Sequence, residues 1–335
     1  MIQKAAERRP FGMDLTCAHR DSIIVKKKYG SLGGTDMLTI HTDTKIRVMS
    51  KDNMPAARCK DGDTVRFETL DCFGGQLTSE DQNTGGLDWD NINPATGPLY
   101  VEGAQAGDVL KVEILSIELD DHGVMIHCEG ERVTGSVVKG EVTKILPIEN
   151  GCAKFNDRLS FPLSPMIGVI GTAPAGEGIP TGTPGAHGGN MDCTRIGAGT
   201  TLYLPVNVEG ALLAMGDMHA VMGDGEVGVC GVEIAGAITV RVSVLKDCKL
   251  PTPFLVTDEQ AIAISSAKTA DEAADRATLA MHSFLTGELG MDGHDAGMLL
   301  SIAGNLCICQ VVDPEKTCRM ELHRSVTKAY GYEFA

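Results

Sequence analysis

The chain has 335 residues, 43% of them hydrophobic and 22% charged, the proportions of a soluble globular protein with core enough for two or three lobes. A formal charge of −16 sets it against nucleic-acid phosphates, and no apolar run is long enough to span a bilayer, which argues against both as partners. Aromatic residues are scarce at 4%, while 40 Gly and 14 Pro predict many turns.

The N-terminal run MIQKAAERRPFGMD lacks a signal-peptide core, so a cytoplasmic protein is expected. Its eleven cysteines are scattered without a C-x-x-C pair, which suits small buried hydrophobes rather than a zinc ribbon or a redox pair. Residues 1–35 carry charge clusters without a clear period and are expected to form an extension. From Asp36 the chain turns to short alternating runs: KIRVM, TVRFETLDCF, DVLKVEILSIEL and GVMIHCEG each predict a strand between Gly, Pro and Asp turns. These place a β-rich N-terminal lobe over 36–165.

Over 166–250 the pattern changes. Residues 167–192 are so rich in Gly and Pro that they predict loop, since Gly costs about 1 kcal/mol and Pro about 3 kcal/mol in a helix interior. TTLYLPVNVEGALLAMGDM then predicts two strands and AITVRVSVL a third. Helix is expected late, within a C-terminal lobe over 251–335. Asp271 to Leu289 spaces Ala274, Ala277, Met281 and Leu285 on one face, with acids in its first turn and Gly290 as a stop. A second helix is expected to start near Asp292. The fold class is α+β, predominantly β.

The segment AMGDMHAVMGDGEVGVCGVEI, residues 214–234, holds the chemistry. It sets Asp217, His219, Asp224, Glu226 and Glu233 among small apolar residues, where carboxylates are costly to bury unless something neutralises them. A metal ion does this, as does a network of shared protons. On a strand Asp217 and His219 point to one face, so an Asp-x-His pair supplies two ligands. Asp192, closing HGGNMD upstream, is the natural third, and Asp71, where a strand meets the CFGGQ loop, a candidate fourth. The opposing view is ordinary: Asp before Gly is most often a turn former, and a lone His is usually a satisfied core residue.

Weaker patterns point elsewhere. The glycine-rich 171–182 stretch lacks the GK[ST] of a phosphate-binding loop. LDWDNIN lacks the terminal Glu of a calcium loop and predicts a polar turn, with Trp89 bordering the site. Ser265 and Lys268 have a nucleophile–base spacing without its partner motifs, in what reads as helix. Cys193, beside Asp192, is a candidate nucleophile.

HGGNMD followed by GDMHAVMGDGEVGVCGVE closely resembles the acetamidase/formamidase family, whose members carry a G-N-x-D loop and then a G-D-x-H…G-D-G-E segment. KDGDTVRFETLDCFGGQL, TPFLVTDE and CQVVDPEKTCRMELHR extend the resemblance from about Asp36 to Arg324. It implies a jelly-roll-like β-sandwich with a smaller α+β C-terminal lobe, and hydrolysis of short amides such as formamide and acetamide to ammonia and a carboxylate. The expected partners are a small neutral amide as substrate and further copies in a homo-oligomer, a dimer or higher. The residues that match the family's motifs are Asp71, Asn190, Asp192, His219, Glu226 and Glu233. Asp71, Asp192 and His219 are then expected to hold a divalent metal, zinc in the first instance, with calcium or manganese open to a carboxylate-rich shell. Glu226 or Glu233 is expected as general base, and Asn190 as an oxyanion donor. Two alternatives stay open: a hydrolase of another small C–N bond such as a lactam or cyclic imide, and a non-catalytic metal-binding β-sandwich.

Overall fold

A computed structural model describes residues 37–335, together with the backbone of a strand at Ile23–Val25. The extension expected over residues 1–35 otherwise lies outside the described residues. The protein is mostly β, with its strands gathered into two large sheets and few helices.

One sheet runs in the order Leu38–Ile40, Thr64–Thr69, Gly236–Leu245, Val109–Leu119, Thr201–Pro205, Phe254–Val256, Gln260–Ala267, Lys316–His323, Asn305–Gln310. The other runs Ser160–Pro162, Cys152–Lys154, Glu141–Glu149, His122–Cys128, Glu233–Ile234, Leu213–His219, Met166–Gly171, Gly188–Asn190, with Ala95–Val101 also paired to Leu213–His219. Alternation explains the outer strands: Thr64–Thr69 buries every second residue, Val65, Phe67 and Thr69. Val65, Phe67, Val112 and Ile114 of the first sheet share one core with Leu99, Ile167, Leu213, Met215 and Met218 of the second. The central strands Met166–Gly171 and Leu213–His219 are buried along their whole length. An Asp and a His in such a strand cannot be surface decoration.

The loop expected over 167–192 is strand at both ends. Met166–Gly171 and Gly188–Asn190 pair antiparallel, Val169 opposite Asn190 and Gly171 opposite Gly188. Glycine density reads as loop by propensity, but here small residues let three backbones approach. A Cβ at Gly168 would stand 2.4 Å from Asp192 Oδ1 and 2.7 Å from Asp217 Oδ2.

The late helices form where capping and period place them, at Ala270–Gly287 and Gly293–Ala303. Thr269 Oγ1 accepts the Glu272 N–H and Asp292 accepts those of His294 and Asp295, satisfying donors that a helix start leaves free. Ala277, Met281, Phe284 and Leu285 pack with Phe254, Ala263 and Met320 in a second core beneath the first sheet. Ser265 and Ser266 stand on the strand Gln260–Ala267, so Ser265 is not on the helix that the serine–lysine spacing calls for, and Ser266 Oγ hydrogen-bonds Thr317 Oγ1. Among the described residues no helix is long and apolar enough to cross a membrane.

Candidate functional site

The centre of the second sheet is built on one register. Antiparallel pairing sets His219 opposite Glu233 and Met166 opposite His219. Directly opposed residues share a face of the sheet, with Cβ atoms about 5 Å apart. His219 Nε2 accordingly lies 2.7 Å from Glu233 Oε1, while its Nδ1 faces the Met166 sulfur at 2.7 Å. Around the ring stand Glu226 Oε1 at 3.6 Å and Asp217 Oδ1 at 3.9 Å from Nε2, and Asp192 Oδ1 at 3.9 Å from Nδ1.

These side chains open into a cavity of about 130 Å³. Asn93, Asn190, Asp192, Asp217, His219, Glu226, Glu233 and Asp313 supply its polar lining, and Phe73, Trp89, Ile126 and Val312 part of its apolar one. No Lys or Arg of the described residues lines it. Asp192, His219 and Glu233 are 1% exposed, Asp217 2% and Glu226 7%. Five oxygens have no hydrogen-bond partner: Asn190 Oδ1, Asp192 Oδ1, Asp217 Oδ1, Glu226 Oε2 and Glu233 Oε2.

Burial, with carboxylates crowding one another, pushes every one of these acids up. Burial acts first on Asp192, followed by Asp313 and Asp217; on Asp217, followed by Glu233; and on Glu226, followed by Asp192 and Glu233. Glu233 rises to about 8 and Asp313 to about 7, again chiefly through burial. So many acids cannot all ionise in one apolar cavity without a cation. Three sets of ligand atoms lie within 4.8 Å of one another: Asp192, Asp217 and His219; His219, Glu226 and Glu233; and Cys72, Asp217 and Glu233. The donor set fits a divalent metal, whose charge would satisfy the orphaned oxygens of the crowded carboxylates.

Three of the acids sit on left-handed backbone, Asp192 at φ 42°, Asp217 at φ 53° and Glu226 at φ 47°. Asp tolerates this conformation, but for Glu it costs on the order of 1–3 kcal/mol and persists only where surrounding structure enforces it. Glu226 is held there by the turn that its N–H closes on Gly223 O (3.1 Å) and by Gly231 N–H donating to Oε1 (3.0 Å).

Of the residues singled out from sequence, Asn190, Asp192, Asp217, His219, Glu226 and Glu233 converge, and Trp89 borders them. Asp71 does not line the cavity: its Oδ1 accepts the Gly75 N–H at 3.1 Å, capping the turn, and the next residue, Cys72, faces the site instead. Asp224 turns away to Arg319, whose Nη1 and Nη2 donate to it at 2.9 and 2.6 Å. Cys193 is buried outside the cavity. Asp313 is the residue that sequence reasoning missed; in VVDPEK it reads as a turn, and no local signal aims it at the site.

The wall behind the site is ionic. Arg319, 0% exposed, binds Asp224 and donates through Nε to Glu321 Oε1 at 2.6 Å, while Arg195 Nε donates to the same oxygen at 2.8 Å. One side chain of the C-terminal region thereby braces the loop before Glu226, and through Glu321 the residues after Asp192. Arg319→Met is expected to cost about 3 kcal/mol, the low end for stripping a buried partner, because Asp224 is half exposed and Glu321 keeps Arg195. Urea unfolding should show a lower midpoint at unchanged slope; a loss under about 1 kcal/mol would rule out the brace.

The model of the acetamidase/formamidase family matches residues 48–180 and 171–322. The chain belongs to this family. It is 49% identical to an acetamidase of Bacillus halodurans of known crystal structure, with a TM-score of 0.87 over 88% of this chain and 100% of that one. A predicted acetamidase/formamidase of Thermoanaerobacter tengcongensis gives 45% identity and a TM-score of 0.87, over 89% and 99% of the two chains. The formamidase of Methylophilus methylotrophus is 29% identical over 251 residues, 57% of this chain and 61% of that enzyme. The matches to curated relatives span about three-fifths of the length of those proteins. The acetamidase/formamidase match takes in every side chain of the cavity named above.

Proposed function

We propose that this acetamidase/formamidase-family protein hydrolyses short aliphatic amides, of the formamide and acetamide type, to ammonia and a carboxylate with the help of a divalent metal. The observation that carries the reading is a small cavity lined by carboxyl groups and one histidine, with no Lys or Arg of the described residues, in which five polar oxygens lack partners. A non-catalytic metal protein needs ligands but no further strained acid.

Asp192, Asp217 and His219 are the residues proposed to hold the ion. Asp217 offers the oxygen that the family resemblance assigns to Asp71. A divalent ion, zinc in the first instance, supplies positive charge that polarises the amide carbonyl and acidifies water. Glu226 has one oxygen fixed by the Gly231 N–H and the other free, which suits a general base that takes a proton from the attacking water and returns it to the departing nitrogen. Glu233, bonded to His219 Nε2, orients the imidazole and offers a further oxygen to the ion. The cavity of about 130 Å³ has room for a short amide.

Ammonia release from formamide and acetamide, by protein of assayed metal content, tests the reading. Release should vanish on chelation and return with one added ion. Silence from metal-loaded protein across short amides would overturn it.

A further inference from the structure

Asn190 is oriented by a neighbour from the far end of the chain. Its Nδ2 donates to Asp313 Oδ2 at 3.0 Å, across 123 residues of sequence. With its N–H group committed to that carboxyl oxygen, the carboxamide turns its own oxygen the other way. That oxygen, Asn190 Oδ1, is buried, lacks a partner and belongs to a side chain lining the cavity. The position of Asp313 is itself built. The carboxamide of Gln310, 0% exposed, accepts the N–H groups of Val312 (2.9 Å) and Asp313 (3.0 Å) through Oε1. Its Nε2 donates to Glu315 O (2.7 Å) and Thr317 Oγ1 (3.1 Å), which pins the turn. Asn190 is pinned in turn by the strand pairing of Gly188–Asn190 with Val169 and Gly171.

We propose that Asp313 is a positioning residue that fixes the Asn190 carboxamide with Oδ1 toward the substrate, where it accepts an N–H of the amide being cleaved. The inference rests on the amide-hydrolase reading and deepens it: Asn190 becomes the group that reads the amide nitrogen, in place of the oxyanion donor suggested by its residue type. A buried acceptor without a donor discriminates by leaving itself unpaired when the ligand brings no N–H.

Acetamide and methyl acetate share the acetyl group and differ in the leaving group, which carries N–H only in the amide, so the pair separates this role from a structural one. Asp313→Ala is expected to lower kcat/KM for acetamide by about 10–100-fold, while retaining the metal and leaving the ester within about threefold of wild type. Where the ester is not turned over, its inhibition constant against acetamide hydrolysis takes the place of its rate. Asp313→Asn, whose oxygen accepts the same N–H, should recover most of the loss. Asn190→Ala should fall as far as Asp313→Ala, with the double variant no lower than either, as for residues acting as one unit. Equal falls on amide and ester, or loss of the metal in Asp313→Ala, would overturn the inference and leave the hydrolase reading standing. A metal-loaded wild type that releases no ammonia from acetamide or formamide would overturn both.

Discussion

Replacing His219 with alanine is expected to remove the metal and the activity together. The imidazole is 1% exposed and is the one histidine ring among the acids that line the cavity. Without it, Asp192 and Asp217 keep their oxygens near the site but lose the third corner of the set. The polarisation an ion supplies is worth several kcal/mol, so kcat/KM should fall by at least about 10³-fold. Elemental analysis of the purified variant, beside its rate on acetamide, gives the answer. Asp192→Ala should behave alike. Its carboxylate stands 3.9 Å from the ring and has an unpartnered oxygen. A His219→Ala protein holding one ion per chain with wild-type turnover would rule out this ligand set.

The second large effect separates the two glutamates. Glu226→Gln should retain the metal and lose about 10²–10⁴-fold in kcat, the usual worth of a positioned general base. The amide keeps the shape of the side chain and the Gly231 contact through its oxygen, but it cannot take a proton from water. Glu233→Gln should weaken the metal instead, by about 10–100-fold in affinity, because Glu233 Oε1 is the partner of His219 Nε2 at 2.7 Å. Metal titration of apo-protein and turnover at saturating metal distinguish the roles. Should Glu226→Gln lose the ion and Glu233→Gln lose only turnover, the assignments are reversed.

Much of this site is legible in the amino-acid sequence. Five polar residues between Asp217 and Glu233 are spaced by Gly, Ala, Val and Met, so their clustering already argues for a neutralising ion or a network of shared protons. Of the helices, the one at Ala270–Gly287 is legible to within two residues at either end and the next to within one at its start, because Thr269, Asp292 and the apolar spacing act locally. Propensity misleads where glycine serves packing. The stretch over 167–192 reads as loop, yet Gly168 sits in a central strand, where any Cβ would displace the carboxylates of Asp192 and Asp217. The Ser265–Lys268 spacing likewise suggests a helical pair, and strand pairing with Lys316–His323 overrules it.

What the sequence by itself determined is the chemistry: which residue types are gathered near 190 and again near 217–233, the β-rich class, and the family. The residue types and the class follow from composition, period and local spacing, which act over a few residues, and the family from the resemblance of its motifs. Tertiary structure alone decided who touches whom. Beyond Thr69 the strand ends, so alternation no longer says which of Asp71 and Cys72 faces the cavity; the turn closed on Gly75 gives that place to Cys72. Asp224 and Glu226 look equivalent in GDGE until buried Arg319, 95 residues away, claims the first and leaves the second to the site. Asp313 has no local mark at all, and only the joining of the C-terminal region to the strand carrying Asn190 brings its carboxylate within 3.0 Å. The physical reason is common to all three: side-chain direction in a turn, and pairing across a hundred residues, are set by packing and long-range hydrogen bonds that no window of sequence contains.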